Sequence, residues 1–325
     1  MKNVIGAIAV KGTPVHSALR FDSGVSIATL LVTNGLIQTQ HGVALHPDLL
    51  LWDKQLSSCR QQWFQCVDNN PLGWYAALQS VSTATLLANR CHDMPNETKQ
   101  CWVASPFHAQ LGRDTVRLLP EGLFLWTEQD SNWLCTVLNP LLQHEGMTLI
   151  PVGSALLLSC CESMDVEPLR FAEVSGKNLP NRHPKGSDAG RFTRLLAEIQ
   201  MLLHQHPAEH RQQRGEPDVN GVWLWGGTQW QPQPAHEKQI AVATRNPFLQ
   251  SIVDGRDAKL MISEAERLNE LVKQDAPLPK KIVLAGEGHA VLLTKSWLLK
   301  LRNTRWVSKS PGTQSELLDT MQGQI

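Results

Sequence analysis

The sequence predicts an α/β protein with a mixed, largely parallel sheet flanked by helices. From residue 115 onward, strand-like apolar runs alternate with amphipathic helical stretches, which is typical of this fold class. Two neighbouring apolar runs, Met147–Val152 and Ala155–Cys160, flank a Gly-Ser pair and predict an antiparallel hairpin within that sheet. Hydrophobic residues make up 42% of the 325 residues, which is enough to build a sizeable core.

The first hundred residues show the least regular pattern. They contain two candidate strands and one candidate helix, at residues 27–31, 49–52 and 78–89. The polar stretch 91–100 contains Pro95 and is typical of a linker or a long loop. We therefore predict an N-terminal α/β region at 1–98 and a second α/β region at 99–325.

The segment after this boundary predicts two strands and a helix. Residues 116–119 and 123–126 are short apolar runs separated by a Pro-Glu-Gly turn. Thr127, with Asp130 three residues on, is a good N-terminal cap for the helix that follows. Pro140 within that helix predicts a kink or an early end, because proline cannot donate the helical hydrogen bond.

The clearest helix begins near residue 188. Ser187 or Asp188 can cap it, and Pro207 ends it. Its apolar residues recur at helical spacing: Phe192, Leu195, Leu196, Ile199, Leu202 and Leu203. Residues 219–225 then form a short apolar run that predicts a buried strand, ended by Gly226-Gly227.

The C-terminal part predicts two more strands and one more helix. Residues 240–243 and 281–285 are the candidate strands. Ser263 with Glu266 makes a capping box for the helix. The polar end from residue 308 is expected to fray.

The charge balance, the apolar runs and the cysteine spacing limit the partners and the location that we expect for the protein. Lys and Arg total 30 and Asp and Glu total 30, so the net charge is zero and we expect no nucleic-acid partner. No apolar run is long enough to span a membrane and no secretory signal stands out, so we expect a cytoplasmic protein without a membrane partner. The seven cysteines are scattered without a C-x-x-C pair, which favours reduced thiols.

The most distinctive segment lies between residues 186 and 227. Trp223 and Trp225 are two residues apart and share one face of the predicted strand, either as core anchors or beside a ligand. The glycines that follow would let backbone N–H groups approach an anion, and a helix N-terminus can do the same near residue 187. The predicted ligand-binding residues are Arg214, Asn220, Trp223, Trp225, Gly226, Gly227 and Ser187.

These motifs resemble a known family. The stretch "EIQMLLHQHP…RGEPDVNGVWLWGG" resembles the bacterial RpfE-type regulatory proteins, which are related to cofactor-independent, archaeal-type phosphoglycerate mutases of the alkaline-phosphatase superfamily. Upstream, Ala104, Pro106 and His108 match the family's A-D-P-V-H-L segment, with Ser105 in place of the aspartate. The resemblance covers about residues 100–230 and implies a phosphoglycerate-mutase-like fold for the C-terminal part.

The same resemblance implies two divalent metals and a serine nucleophile, which need several Asp and His ligands. The first twelve residues contain no Asp, and no Asp-His dipeptide occurs anywhere in the chain. The string from Ala285 to His289 resembles the family's D-E-A-G-H but lacks its leading Asp. We therefore predict no catalytic residue, no metal ligand and no cofactor.

Together these observations predict a non-catalytic cytosolic regulatory or ligand-binding protein. Its expected partners are a small phosphorylated ligand and a protein. Two alternatives stay open. One is an active phosphoglycerate mutase or phosphotransferase with rearranged ligands and a divalent metal, and the other is a plain protein-interaction module.

Overall fold

The structure is a computed structural model that describes residues 27–40, 42–66, 70–120, 123–179, 183–232, 238–244, 246, 249, 258–271, 279–295 and 311–322. Strands in these ranges form a seven-stranded sheet, a four-stranded sheet and two two-stranded sheets, with helices packed on the larger two. The two-stranded sheets pair Leu36–Thr39 with Gly42–Leu45 and Ala109–Leu111 with Val116–Leu118. The prediction of an α/β fold with a mixed sheet is confirmed. In the described part of the chain, no helix is both long and apolar enough to cross a membrane.

The described strands are β1 (Thr29–Thr33), β2 (Leu36–Thr39), β3 (Gly42–Leu45), β4 (Arg60–Gln65), β5 (Gln100–Phe107), β6 (Ala109–Leu111), β7 (Val116–Leu118), β8 (Met147–Val152), β9 (Ala155–Cys160), β10 (Gly221–Gln229), β11 (Ile240–Ala243), β12 (Leu260–Glu264), β13 (Lys281–Gly286), β14 (His289–Thr294) and β15 (Gly312–Thr313). The described helices are α1 (Asp53–Ser57), α2 (Pro71–Leu78), α3 (Thr83–Ala88), α4 (Glu128–His144), α5 (Phe171–Val174), α6 (Ala189–Gln205), α7 (Glu209–Gln213), α8 (Ala265–Leu271) and α9 (Gln314–Gln322), and a 3-10 helix spans Pro47–Trp52.

The seven-stranded sheet is mostly parallel and has the order β11-β12-β1-β13-β14-β4-β15. Strand β1 runs parallel to both of its neighbours, with Leu31 opposite Ile262 and Val283. All five residues of β1 are buried, as expected for a parallel strand covered on both faces. Strands from both sides of residue 98 lie in this sheet, so the predicted division at that residue does not separate the two sheets.

The four-stranded sheet is antiparallel, has the order β10-β5-β9-β8 and comes from one continuous stretch of chain. The predicted β8–β9 pairing is confirmed, but the hairpin lies in this antiparallel sheet and not in the mostly parallel one. Helices α4 and α6 cover one face through a core that includes Trp102, Leu134 and Phe192. A second core joins the two sheets, since Val103 and Trp225 share it with Leu31 of β1.

Two predictions in the N-terminal region are wrong. Residues 49–52 form no strand but lie in the 3-10 helix, which His46 caps and which Pro47 begins. Residues 78–89 are not one helix, because the chain turns at Ser80 with φ 62° before Ser82 caps α3. Both corrections follow from local start and turn signals that outweigh the apolar pattern.

Two further corrections concern the middle of the chain. Residues 123–126 form no strand, whereas the preceding strand β7 pairs with β6 and forms a further bridge from Arg117 to Asn178. Helix α4 begins after the predicted Thr127–Asp130 capping box but does not end at Pro140, since it runs on to His144.

The C-terminal part requires three corrections. Strand β10 does not stop at its glycine pair but continues to Gln229 through a bulge between Trp225 and Thr228. Ser263 lies inside β12 and donates to the carbonyl of Glu264, so it does not cap α8. Of the end from residue 308, residues 311–322 are described, and Gln314–Gln322 form α9 rather than a frayed end, because Leu317 and Met321 are buried in the core.

Candidate functional site: a cleft between the two sheets

A cleft of about 860 Å³ lies where the parallel strands of the seven-stranded sheet end. Asn34 follows β1, Glu264 ends β12, Asn246 follows β11 and Glu287 follows β13, and all four residues line the cleft. In open α/β sheets, ligands bind outside the carboxyl ends of the strands. The volume falls in the usual range for small-molecule sites.

The opposite wall belongs to the four-stranded sheet. Residues 103–107 of β5 line it together with Trp225 of β10. The Trp225 indole Nε1–H donates to Ser105 Oγ at 2.9 Å, which fixes both side chains at this wall. Because a hydroxyl that accepts one hydrogen bond still has its own hydrogen to donate, Ser105 can offer a hydrogen bond to a ligand.

A third part of the wall comes from two loops. Phe124 and Trp126 stack with ring centroids 5.8 Å apart, and both line the cleft. The loop after α5 adds Ser175 and Lys177, and Lys177 is exposed. This side of the cleft therefore combines an aromatic surface with an ammonium group.

The carboxylates lie on the other side, at the strand ends. Glu264 accepts a hydrogen bond from Thr244 Oγ1 at 3.0 Å, and Glu266 Oε1 is 3.8 Å from His46 Nε2. Glu287 is exposed. The cleft thus has a largely apolar lining with polar groups at its two sides, acidic at the seven-stranded sheet and basic at Lys177.

Two residues at this edge have unusual backbone conformations. Asn34 has φ 56° and Glu287 has φ 50°, and they follow β1 and β13, which are neighbours in the sheet. The left-handed region is uncommon for residues other than glycine, and such strain often accompanies a functional site. At Glu287, however, the two-residue turn between β13 and β14 requires this conformation, since Gly288 also has a positive φ of 80°, so the choice of this edge rests on the cleft itself.

The described residues do not fit the pair of divalent metals that the sequence resemblance implies. Within the described ranges, no group of three His, Cys, Asp or Glu side chains could hold a metal ion. Of the string resembling D-E-A-G-H, Glu287 reaches the cleft, whereas the His289 ring lies against Trp63 with centroids 6.5 Å apart.

Of the seven ligand-binding residues predicted from the sequence, Trp225 alone lines the cleft. Arg214 instead binds the carboxylate of Asp130, with Nη2 2.8 Å from Oδ1. The side chain of Asn220 accepts a hydrogen bond from the backbone of Ala109. Their roles as ligand contacts stay predictions.

The remaining predicted residues also have partners within the protein. The Trp223 indole donates to the Leu169 carbonyl at 2.8 Å. Gly226 has φ 67° in the bulge of β10, and a methyl group on Gly227 would overlap the Trp102 ring. Ser187 donates through both its backbone N–H and its hydroxyl to Asp165, and these hydrogen bonds lower the pKa of that carboxyl.

Sequence reasoning missed Asn34, Glu264 and Glu287. A usable signal was present, because each lies at the end of a short, buried, mostly apolar run. What the sequence could not supply was the pairing of β1 with β12 and β13, which brings these positions to one edge.

Comparisons with known proteins give a weak relationship. No family model matches the chain. A probable 2,3-bisphosphoglycerate-independent phosphoglycerate mutase of Geobacter sulfurreducens is 34% identical over 55 residues, and this match covers 17% of the chain and 14% of that relative. A solved cofactor-independent phosphoglycerate mutase from Thermoplasma acidophilum aligns with 92% of this chain and 99% of its own, at 13% identity and a TM-score of 0.35.

Proposed function

We propose that this phosphoglycerate-mutase-like protein binds a small phosphorylated hydroxy compound in the cleft and acts in regulation rather than catalysis. The observation that carries the proposal is the cleft itself, placed at the carboxyl ends of β1, β12 and β13, with a few charged and polar side chains in a largely apolar lining. The proposed location is the cytoplasm, and a regulatory role would also require a protein partner.

The charges of the cleft orient such a ligand. A phosphoryl group would lie toward Lys177, with the hydroxyls of Ser175 and Ser105 as further donors. The same group would be repelled at the strand ends, where Glu264 and Glu287 are acidic. The hydroxyl groups of the ligand suit that end, because carboxylates accept hydrogen bonds from them.

The choice of a phosphoglycerate-like compound follows from similarity of sequence. The motifs around residues 104–108 and 214–227 resemble those of the RpfE-type regulatory proteins and of archaeal-type phosphoglycerate mutases. The short match to a probable phosphoglycerate mutase supports the same choice. The proposed binding role needs no cofactor, whereas the enzyme alternative needs a divalent metal.

Calorimetric titration of the full chain with 3-phosphoglycerate tests binding. We expect saturable binding, weaker binding of unphosphorylated glycerate, and a loss of about tenfold in affinity in Lys177→Met, because one charge-assisted contact contributes about 1.5 kcal/mol or more. Lys185→Met is the matched control, since Lys185 is exposed and lies outside the cleft. Equal affinity of the two variants, or no binding of 3-phosphoglycerate, would overturn the proposal.

Turnover separates the regulatory role from the enzyme alternative. The full chain is incubated with 3-phosphoglycerate and Mn²⁺, and formation of 2-phosphoglycerate is measured by NMR. The proposal predicts binding without conversion. Metal-dependent conversion that falls in Ser105→Ala would establish the enzyme alternative instead.

A further inference from the structure

A buried ionic cluster lies behind the aromatic wall of the cleft. Asp130 is fully buried at the start of α4. Its carboxylate is 2.7 Å from His210 Nε2, 2.8 Å from Arg214 Nη2 and 3.2 Å from Arg211 Nη1. The cluster therefore joins α4 to α7 and to the residue that follows α7.

Arg211 extends from this cluster to the wall. Its guanidinium carbon lies 4.5 Å from the centre of the Phe124 ring and 5.6 Å from that of Trp126. Its Nη1 also donates to the Leu125 carbonyl at 2.8 Å. One buried side chain thus contacts three consecutive residues that line the cleft.

Burial of this guanidinium is costly, which argues for a specific role. Arg211 is fully buried and its Nη2 has no hydrogen-bond partner among the described residues, with Glu216 Oε2 at 4.0 Å. Apolar residues often replace a buried ion pair without loss of stability. The segment 123–126 forms no strand, so its backbone lacks the partners that a sheet would supply.

We infer that Arg211 is a positioning residue that holds Phe124, Leu125 and Trp126 in place as the wall of the cleft. Its importance for the ligand rests on the proposed function, whereas its effect on the wall does not. Asp130 anchors it from behind. Burial acts to raise the pKa of Asp130, but hydrogen bonds from Thr127, Arg214 and His210 outweigh it and lower the pKa, so the anchor is ionised at neutral pH.

The chain offers a matched control for this inference. Arg214 binds the same carboxylate and also donates to Gln129, but its side chain is 34% exposed and neither ring contact involves it. Arg214→Met and Arg211→Met each remove one guanidinium from Asp130. Only Arg211→Met also removes the contacts with Phe124, Leu125 and Trp126.

Hydrogen exchange followed by mass spectrometry tests the inference on the full chain without any ligand. In Arg211→Met, amides of residues 123–130 are expected to exchange about tenfold faster than in the wild type, while residues 155–160 of β9 keep their protection. In Arg214→Met, exchange in residues 123–130 is expected to change by less than about threefold. An equal rise at both segments in Arg211→Met, or an unchanged wall, would overturn the inference.

A second variant and a binding arm complete the test. If Arg211→Met does not fold, Arg211→Lys replaces it, since lysine keeps the charge but cannot contact both rings and the Leu125 carbonyl together. Titration with 3-phosphoglycerate then gives the consequence for binding. Wild-type binding that weakens in Arg211→Lys, but not in the control Lys185→Met, supports the inference; a loosened wall with unchanged affinity would contradict the link to the ligand. Absence of wild-type binding would contradict the proposed function and leave the exchange result standing.

Discussion

The two larger sheets of this protein differ in how they contribute to stability and to the cleft. The four-stranded sheet is built from one continuous stretch, and its polar groups are paired inside the protein: Trp102 Nε1 donates to Gln100 Oε1 at 3.0 Å, and Trp225 Nε1 to Ser105. The seven-stranded sheet is assembled from both parts of the chain, and its carboxyl edge presents Asn34 and Glu287 to a cleft. Substitutions in the core of the four-stranded sheet, away from the cleft, should mainly change stability, and those at the carboxyl edge of the seven-stranded sheet should mainly change binding.

The largest effect is expected for Trp102→Ala in the four-stranded sheet. Trp102 is 1% exposed and packs against Phe192 with ring centroids 5.9 Å apart. Removing the ring should lower the free energy of unfolding by about 3–5 kcal/mol. Urea unfolding checks this value, with Met201→Ala as the control because Met201 is 62% exposed. A similarly small loss of unfolding free energy in Trp102→Ala and Met201→Ala would contradict the role of Trp102 in the core of the four-stranded sheet.

The next effect concerns the charge of Asp130. Asp130→Asn should cost about 3 kcal/mol at pH 7, because it leaves buried Arg211 without its carboxylate. The folded-state pKa of Asp130 is lowered, so its contribution is present above the unfolded-state pKa and is lost as the pH falls through the folded-state value. Urea unfolding of both proteins at pH 7 and at about pH 3 should show the difference shrinking on acidification. A difference that is constant with pH would contradict an ionised Asp130.

Two glycine substitutions are expected to change the stability by intermediate amounts and in opposite directions. Gly227→Ala places a methyl group against the buried Trp102 ring and should cost about 1–3 kcal/mol. Gly190→Ala meets open space near the start of α6 and should stabilise the protein by up to about 1 kcal/mol. The melting temperatures of the two variants test both expectations. A lower melting temperature for Gly190→Ala, or an unchanged one for Gly227→Ala, would contradict the packing described for α6 and the four-stranded sheet.

The smallest effect is expected at the edge of the seven-stranded sheet. Glu287→Gly relieves a left-handed backbone with φ 50° and should raise stability by up to about 1 kcal/mol, whereas Glu287→Ala, which keeps the strain, should change it by less than about 0.5 kcal/mol. Both variants remove the same carboxylate from the cleft. The difference in the free energy of unfolding between the two variants, measured by chemical denaturation, therefore reports the backbone strain at residue 287 alone. If Glu287→Gly is no more stable than Glu287→Ala, the backbone at this position is not strained.

The same division explains what could be predicted from the sequence. The Thr127–Asp130 capping box, α6 and the β8–β9 hairpin depend on neighbours in the chain and are confirmed. The apolar run at 49–52 has the pattern of a strand, but Pro47 is a helix-start signal and the run lies in a 3-10 helix. The cleft could not be predicted, since parallel pairing joins Thr33 to Glu264 across most of the chain. Arg211 was missed for a similar reason: its partners Leu125 and Asp130 lie about eighty residues upstream.

Hydrogen exchange with and without saturating 3-phosphoglycerate tests the central claim most directly, because it locates the ligand on the full chain. The account predicts slower exchange in segments that contain Asn34, Ser105 and Lys177, which line three sides of the cleft. It predicts no change around Ser187, where the sequence alone had placed a ligand contact. Protection confined to Ser187 and the start of α6, or no protection anywhere, would contradict it.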